Sequence, residues 1–466
     1  MEKILAKKII EDKKNGLSDK EIGEKYRINL KFIERAITKE TGVNISYPSN
    51  VRKINEFNPK NFNLENTSVW SFKSRGNWAT HDGNYRGNWS PYIPRNIILR
   101  YSKENDIVLD YFCGAGTTAI ECKLLNRKFI GIDVNPKAIE LARNNVDFDG
   151  FNNSIFNVDI KLNVGDARNL SFINDESIDL ICAHPPYSNI INYTHNNPND
   201  LSNFKDIEFL SEIEKVARES YRVLKDNGYC SILIGDMRKN KNVIPLGFWT
   251  IEKYLKTGFK IKELIIKRQH NCKTTGFWYK NSIKYNFLLL AHEYLLVFQK
   301  ITTRNISEQY LNQYTNDLVD IKIDNNIQLE SKTVWVFDNK NWVDNTISNL
   351  VKRYSHGDYL IYKNDKKIKN KYDLIVIINY KNFFDQFNLL KNNLKEGVIL
   401  AFICEDFRIK NNLIFPTAIA VEKEFSKNKE FGIKEIIIVS IENNKLSENL
   451  KNIDIRHKYI LIYKRS

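Results

Sequence analysis

The sequence predicts an α/β protein built on a doubly wound, mostly parallel sheet. Beyond residue 66, apolar runs of strand length alternate with segments of helical period, which is typical of strand–helix–strand units that present ligands at the carboxyl ends of their strands. A glycine turn at 112–117 also joins one strand to a helix start. The predicted strands cover 107–111, 129–133, 160–163, 178–183, 229–234, 259–267 and 293–299, and the predicted helices between them include 117–125, 136–145 and 207–224.

Length and composition limit the classes of protein to consider. The 466 residues exceed what one hydrophobic core usually fills, so we expect two or three domains. The chain has no apolar run of about 18 or more residues and begins with a charged segment, which predicts a soluble, cytoplasmic protein without a membrane partner. The six cysteines lie far apart with no C-x-x-C pair, so we expect neither a metal site nor a disulfide framework.

The charge balance favours a polyanionic partner. The formal net charge is +15 and the isoelectric point is about 9.2, and Lys and Arg bind nucleic acids by neutralising phosphates. The alternative is that the abundance of Asn, Lys and Ile along the whole chain reflects a compositional bias of its source.

Residues 1–45 predict a small helical domain. Its three helices are predicted at 2–15, 19–26 and 30–38. Residues 17–37 resemble a helix-turn-helix, whose recognition helix would present Lys31 and Arg35 to DNA. A plain helical hairpin used for packing is the alternative. The polar, Asn-rich residues 46–66 predict a linker to the next domain.

Two larger domains are predicted after this linker, 67–300 and 301–466. The second is interpreted as a worn repeat of the first, because six segments recur in the same order. The matching segments are 333–337 with 68–72, 341–362 with 88–111, 372–380 with 178–187, 404–408 with 235–238, 431–439 with 259–267, and 457–464 with 292–300. The second copy lacks the glycine turn and the Pro-Pro pair, so we expect a catalytically empty lobe that serves as a scaffold or in recognition.

The glycine turn carries the first candidate binding residues. Gly114 and Gly116 follow the strand that contains Asp110, and glycine allows the backbone to approach a ligand closely. Asp133 follows about 20 residues later at the end of the next strand, where a carboxylate accepts both hydroxyls of a ribose. A glycine turn alone is often only a tight connection, and the acid after it makes the prediction more specific.

Residues 110–117, D-Y-F-C-G-A-G-T, resemble the cofactor site of Rossmann-like methyltransferases that use S-adenosylmethionine. The resemblance implies that Asp110 and the turn lie near the methionine moiety of the donor, Asp133 on its ribose and Asp166 near its adenine. The turn residues concerned are Phe112, Gly114, Gly116 and Thr117. Asp166 also fits an ordinary helix N-cap.

His184, Pro185, Pro186 and Tyr187 follow the fourth predicted strand, so they face the same crevice as the glycine turn. They resemble the D/N/S-P-P-Y/F/W signature of methyltransferases that act on exocyclic amino groups of DNA bases. The resemblance implies a side chain and a rigid proline carbonyl that accept the two amine protons, and an aromatic ring on which the flipped base stacks. A strand that ends in a proline turn is the structural alternative.

His184 departs from this signature, which has Asp, Asn or Ser at its first position. Only a neutral imidazole with an unprotonated nitrogen accepts a proton. We therefore expect activity to fall as His184 becomes protonated, with a change between about pH 5 and 8. A histidine that caps the turn for structural reasons is the alternative.

Two further segments fit the resemblance. Residues 70–102 occupy the place of the segment that precedes the glycine turn in this family, and Pro94 would open the first helix near the methionine end of the donor. Residues 268–285 combine basic, amide and aromatic side chains that suit base edges, phosphates and flipped bases. The candidate substrate contacts in this segment are Arg268, His270, Asn271 and Lys273. A solvated loop is the alternative.

The resemblance predicts a site-specific DNA methyltransferase that moves a methyl group from S-adenosylmethionine to N4 of cytosine or N6 of adenine, without a metal. Its expected partners are double-stranded DNA and a cognate restriction endonuclease. The chain contains no Pro-Cys dipeptide, which disfavours methylation of a cytosine carbon through a cysteine nucleophile. An RNA base amino-methyltransferase and a non-catalytic DNA-binding regulator are the alternatives.

Overall fold

Two β-sheets organise the chain from residue 56 onwards in the computed structural model. The structure describes residues 2–15, 17, 19–28, 33, 54, 56–148, 158–191, 193–194, 197–270, 273–301, 321–362, 372–378, 384, 387, 391, 394–442 and 452–466. These residues form two units, Met1–Asn55 and Glu56–Ser466. Within the second unit, the described residues of 56–301 are called the first lobe and those of 321–466 the second lobe.

The N-terminal unit contains two of the three predicted helices. They cover Glu2–Lys14 and Asp19–Tyr26, within one residue of the predicted bounds. The buried apolar side chains of this unit are Ala6, Ile9, Ile22 and Ile33. Of the predicted third helix the structure describes only Ile33; Lys31 and Arg35 lie outside the described residues, so the helix-turn-helix stays a prediction.

The first lobe is built on an eight-stranded sheet and a separate hairpin. Its strands are β1 (Val69–Ser71), β2 (Ile107–Asp110), β3 (Lys128–Asp133), β4 (Ile160–Val164), β5 (Ile178–Ala183), β6 (Leu224–Ile234), β7 (Met237–Lys239), β8 (Asn242–Ile244), β9 (Lys260–Arg268) and β10 (His292–Gln299). The spatial order in the sheet is β1-β9-β10-β6-β5-β2-β3-β4, and β7 pairs with β8. Only β10 runs antiparallel to its neighbours among these described strands of the sheet. The predicted doubly wound, mostly parallel α/β class is therefore confirmed.

Helices connect these strands as the alternating pattern predicts. Those of the first lobe cover Tyr92–Tyr101, Thr117–Leu124, Pro136–Val146, Asp206–Val223, Leu246–Lys256 and Lys273–Lys284. The last of them lies in residues 268–285, for which the sequence analysis kept a solvated loop as the alternative. The mixed polarity of this segment hides its helical period. Strand β6 begins at Leu224 rather than at the predicted residue 229. Residues 225–228 resemble a turn in the sequence, but they continue the strand, with Asn227 at a φ of 61°.

The second lobe repeats the strand order of the first. Its strands are β11 (Val334–Asp338), β12 (Tyr359–Tyr362), β13 (Leu374–Ile377), β14 (Ile399–Cys404), β15 (Phe407–Arg408), β16 (Ile414–Phe415), β17 (Phe431–Glu442) and β18 (His457–Arg465). Its helices cover Trp342–Tyr354 and Thr417–Phe425. The sheet order β11-β17-β18-β14-β13-β12 matches β1-β9-β10-β6-β5-β2 strand for strand. In the described part of this lobe no strand corresponds to β3 or β4, which agrees with an abbreviated repeat.

The two lobes are joined by buried ion pairs that come in matching positions. Arg238 after β6 binds Glu435 on β17 at 2.6 Å, and Arg408 after β14 binds Glu263 on β9 at 2.7 Å. Both carboxylates are almost completely buried. Each lobe therefore supplies one arginine and one glutamate at equivalent positions of the repeat.

A second set of matching contacts joins the lobes through histidines. Ser68 Oγ lies 2.7 Å from His457 Nδ1, and Thr333 Oγ1 lies 2.9 Å from His292 Nδ1. Ser68 and Thr333 directly precede the equivalent strands β1 and β11, and His292 and His457 begin the equivalent strands β10 and β18. One continuous apolar core includes residues of both lobes. These contacts explain why the predicted domains 67–300 and 301–466 lie within one unit.

Among the helices that the structure describes, none combines the length and the apolar composition that crossing a bilayer requires.

The ion pairs between the lobes predict a large stability effect of one substitution. Arg238→Ala removes the partner of the buried Glu435 carboxylate, and we expect it to lower the free energy of unfolding by about 3–5 kcal/mol. Lys427→Ala is the control, because Lys427 and Glu424 form an exposed pair that contributes little. Urea unfolding followed by circular dichroism measures both variants. Equal stability of the two variants would contradict the structural role of the Arg238 pair.

Candidate active site

The glycine turn after β2 is closed by the carboxylate of Asp110. Asp110 accepts a hydrogen bond from the backbone N–H of Phe112 at 3.0 Å and one from Thr118 Oγ1 at 2.6 Å. Burial raises the pKa of Asp110 to about 7. Both of its oxygens thus hold the turn, and the predicted place of Asp110 near the methionine moiety stays a prediction.

Asp133 at the end of β3 faces the same turn. Its carboxylate accepts the backbone N–H of Gly114 at 3.0 Å and that of Asn135 at 2.9 Å, and burial raises its pKa to about 6. Gly114 has a φ of 49°, and a Cβ there would lie 3.1 Å from the Tyr85 ring. Glycine therefore lets the turn, Asp133 and Tyr85 come together.

Gly116 and Thr117 shape the turn from behind. Gly116 has a φ of 82°, and a Cβ there would lie 3.0 Å from Cβ of Ala142 on the helix Pro136–Val146. Thr117 donates a hydrogen bond to Asn88 Oδ1 at 2.5 Å. Neither residue lines the adjoining cavity, so their predicted contact with a donor stays a prediction.

A small cavity lies beside the turn, at the carboxyl ends of β2 and β3. Its volume is about 60 Å³. Its lining includes Tyr85, Asn88, Phe112, Gly114, Asp133 and Ala167. The close backbone at Gly114 and the carboxylate of Asp133 suit the sulfonium donor that the resemblance implies, since the carboxylate oxygens retain lone pairs for ribose hydroxyls. The volume of this cavity is smaller than that of the donor.

Two other predicted donor contacts lie outside this lining. Asp166 forms an ion pair with Arg168 at 2.7 Å, and the neighbouring Ala167 lines the cavity instead. Pro94 is buried in the first turn of the helix Tyr92–Tyr101. Both predicted roles stay predictions, and in this conformation neither side chain reaches the cavity.

The segment before the glycine turn is anchored by a buried carboxylate that sequence reasoning missed. Glu121, on the helix that follows the turn, accepts hydrogen bonds from Trp78 Nε1 at 2.7 Å and Arg95 Nη1 at 2.8 Å. His81 Nε2 lies 2.7 Å from the same carboxylate. The only signal in the sequence is a glutamate within an otherwise apolar stretch of helix.

A larger cavity of about 420 Å³ adjoins the first and contains the His-Pro-Pro-Tyr segment. His184, Pro185, Pro186 and Tyr187 all line it, together with residues of the segments 72–90 and 267–293. The Trp89 ring stacks on the imidazole of His184, with 5.4 Å between centroids and 19° between planes. The structure therefore brings together the four residues that the sequence predicted as catalytic.

A buried network behind this segment was also missed from the sequence. The Tyr187 hydroxyl donates to Glu293 Oε1 at 2.7 Å and lies 2.9 Å from His184 Nε2. Lys267 Nζ donates to Glu293 Oε2 at 2.7 Å. Burial by itself would raise the pKa of Glu293, and Lys267 overcomes that effect and lowers it to about 2. A glutamate in the apolar run of β10 was the available signal.

The environment of His184 corrects the expected pH dependence. Burial lowers the pKa of His184 to about 4, because an imidazolium loses its hydration there. The ring is therefore neutral throughout the range from pH 5 to 8. The expected change of activity in that range was wrong for this histidine, since the sequence did not reveal its burial.

Gly235 gives the Tyr187 ring its space. A Cβ at Gly235 would lie 2.9 Å from Cε2 of Tyr187. At the equivalent position of the second lobe stands Glu405, which forms an ion pair with Lys458. Lys458 in turn lies 5.2 Å from the ring centre of Trp342, the counterpart of Trp89. The second lobe therefore has a charged, paired side chain at the position where the first lobe has Gly235.

The two cavities of the first lobe share one wall. The residues that line both are Gly87, Asn88, Trp89, His184, Pro186 and Tyr193. A ligand held at the glycine turn and a planar ligand beside Tyr187 would therefore meet across the His184–Pro186 segment. This is the arrangement that group transfer between two bound molecules requires.

The segment after β9 contributes to the rim of the larger cavity. His270 lines this cavity, and its Nε2 lies 2.8 Å from Ser71 Oγ. Arg268 ends β9 and is half-buried. Lys273 begins the helix Lys273–Lys284, and Asn271 lies outside the described residues. The exposed apolar or aromatic residues that follow are Trp278, Tyr279, Ile283 and Tyr285.

Comparison with known proteins agrees with this geometry. Residues 7–144 match a family model described as DNA methylase, and residues 102–271 match one described as methyltransferase domain. The first match includes the glycine turn, and the second includes both the turn and the His-Pro-Pro-Tyr segment.

Individual relatives match over short stretches. The type II methyltransferase M2.LlaDCHI of Lactococcus lactis is 41% identical over 78 residues, which cover 16% of this chain and 28% of that protein. A tRNA (guanine(10)-N2)-dimethyltransferase of Methanothermobacter thermautotrophicus is 34% identical over 104 residues, covering 22% and 29%. The chain thus matches less than a third of the length of either relative.

Among solved structures, the chain is similar to a methyltransferase of Methanosarcina mazei that is described as S-adenosylmethionine-dependent. The sequence identity is 18% and the TM-score is 0.32. The match covers 44% of this chain and 97% of that protein. The DNA methylase match and the type II relatives confirm the resemblance that the two motifs indicated. Over these matched residues the chain is similar to DNA methyltransferases.

Proposed function

We propose that this protein methylates an exocyclic amino group of a flipped DNA base, N4 of cytosine or N6 of adenine, at specific sites. The observation that carries the proposal is the wall shared by the two cavities, where a donor at the glycine turn and a base beside Tyr187 would meet. S-adenosylmethionine supplies the methyl group when it is bound.

Different residues of the chain would bind the donor, bind the base and accept the amine protons. Gly114 and Asp133 would hold the donor at the turn, and Tyr187 would offer its ring to the base. His184 and the carbonyl of Pro185 would accept the two amine protons, so that the nitrogen lone pair becomes available to the methyl carbon. The Trp89 ring stacks on His184 and holds the plane of the imidazole.

Three observations support a nucleic acid substrate, and the second of them favours DNA. The net charge of +15 suits a nucleic acid, and several relatives carry the name of type II methyltransferases. Exposed aromatic and lysine side chains on the helix Lys273–Lys284 suit contacts with bases and phosphates. We further propose a cytoplasmic role in restriction-modification, beside a cognate restriction endonuclease.

A second candidate substrate is the amino group of a base in RNA. The similarity to the tRNA (guanine(10)-N2)-dimethyltransferase favours it. Competition between a duplex DNA library and a pool of transfer RNA for labelled methyl groups separates the two candidates. We expect the label in DNA. Label in RNA alone would reject the DNA assignment, and no label with donor bound would favour the non-catalytic regulator.

The direct test of site-specific activity uses a methylation-deficient host that expresses the protein. Sequencing of its genomic DNA by a method that reports modified bases should show one modified base in a fixed context. Tyr187→Ala is the matched negative control, because it removes the stacking ring. A genome without any modified amino group would contradict the proposal.

The pH dependence tests the neutral state of His184. With saturating donor and DNA, kcat should stay constant between pH 5 and 8, because the pKa of His184 is lowered to about 4 and the ring is neutral above that value. The rate should decline only at more acidic pH, as the ring gains a proton. A decline centred near pH 6.5 would show that His184 titrates as an exposed histidine and would contradict the burial.

The contact between Gly235 and Tyr187 predicts a sharp effect of one methyl group. In Gly235→Ala the new Cβ displaces the Tyr187 ring, and we expect kcat to fall by about 100-fold while the protein stays folded. Gly432→Ala is the matched control, since no atom lies within 4 Å of a Cβ at that position. Steady-state methylation kinetics measure both, and unchanged kcat in Gly235→Ala would remove Tyr187 from the mechanism.

The differences between the two lobes predict one donor per chain. Isothermal titration calorimetry with S-adenosylhomocysteine should give a stoichiometry of one. The described part of the second lobe lacks counterparts of β3 and β4, and Glu405 stands at the position that corresponds to Gly235. A stoichiometry of two would show that the second lobe retains a working donor site.

A further inference from the structure

Glu293 has no place in the family signature, yet it lies at the centre of the buried network behind the candidate active site. It stands on the antiparallel strand β10, and its carboxylate is contacted by Lys267 from β9 and by Tyr187 from the loop after β5. Tyr187 in turn contacts His184. Glu293, Tyr187 and His184 therefore form one continuous chain of hydrogen bonds that ends at the wall of both cavities.

The donors and acceptors in this chain fix its direction. The ionised carboxylate of Glu293 only accepts, so the single proton of the Tyr187 hydroxyl points to Glu293. The tyrosine oxygen is then an acceptor toward His184, so His184 Nε2 must carry the ring proton. A neutral imidazole has one such proton, which leaves Nδ1 as the ring nitrogen that can accept.

We propose that Glu293 is a positioning residue that acts through Tyr187 to hold His184 in the tautomer with Nδ1 free. In this tautomer the histidine can accept an amine proton at the position where the signature has Asp, Asn or Ser. This inference rests on the proposed function. Carboxylate or amide oxygens at that position need no tautomer. An imidazole does, because with the proton on Nδ1 it would present a donor to the amine.

The proton balance of the transfer step follows. The amine nitrogen forms a bond to the methyl carbon while the carbon–sulfur bond breaks. The electron pair of the broken bond goes to sulfur. The amine proton passes to Nδ1 of His184, which becomes an imidazolium. The Glu293 carboxylate attracts this cation through the Tyr187 hydroxyl, and the proton later leaves to solvent. Lys267 keeps Glu293 ionised throughout.

A double-mutant cycle tests the positioning role. Glu293→Gln should lower kcat at least about 10-fold, with little change in KM for donor or DNA. Lys267 can only donate, so it takes the amide oxygen and leaves the amide NH2 to donate to Tyr187, which then no longer fixes the tautomer. In the His184→Asn background, which restores a residue of the family signature, Glu293→Gln should change kcat by less than about 2-fold. Equal losses in both backgrounds would mean that Glu293 only supports the fold, and would overturn the proposal.

A second measurement needs no methyl transfer, so it separates this inference from the proposed function. Nitrogen NMR of the protein labelled at histidine should show His184 with Nε2 protonated, and a mixture of tautomers in Glu293→Gln and Tyr187→Phe. Glu405→Gln, which alters the corresponding ion pair of the second lobe, is the matched control and should leave the signal and kcat unchanged. A wild-type spectrum with Nδ1 protonated would overturn the proposal even in an active enzyme.

Discussion

The candidate site depends on one buried negative charge. Glu293 lies almost fully inside the sheet, where an unpaired carboxylate would be strongly unfavourable. Lys267 and the Tyr187 hydroxyl satisfy it from two other chain segments. This requirement brings the loop after β5 against β9 and β10, and it orients the Tyr187 ring toward the larger cavity.

Parallel topology supplies the rest of the arrangement. Strands β2, β3 and β5 end at one edge of the sheet, so the glycine turn, Asp133 and the His184–Tyr187 segment meet there although they are far apart in the sequence. The second lobe keeps the same strand order, but its residues at the equivalent positions make structural contacts. Its Glu405, at the position of Gly235, pairs with Lys458, and its arginine and histidine contacts complete the interface with the first lobe.

Much of the fold followed from local patterns in the sequence. The strands at 107–111 and 178–183 and the helix at 136–145 were predicted within one residue of their bounds, because apolar period and capping are local properties. The roles of Glu121 and Glu293 could not be predicted, since a single acid in an apolar run acquires its partners only when distant segments pack. The lowered pKa of His184 has the same origin, because burial depends on the tertiary structure. The pairing of Arg95 with Glu121 also arises only when distant segments pack.

The most direct test is a crystal structure of the protein with a non-reactive donor analogue and a DNA duplex that contains its methylation site. The account predicts the analogue at the glycine turn with its ribose on Asp133, and a flipped base against Tyr187 with its amino group within hydrogen-bond reach of His184 Nδ1. An analogue and a base that bind at separate surfaces, without the His184–Pro186 wall between them, would contradict the account.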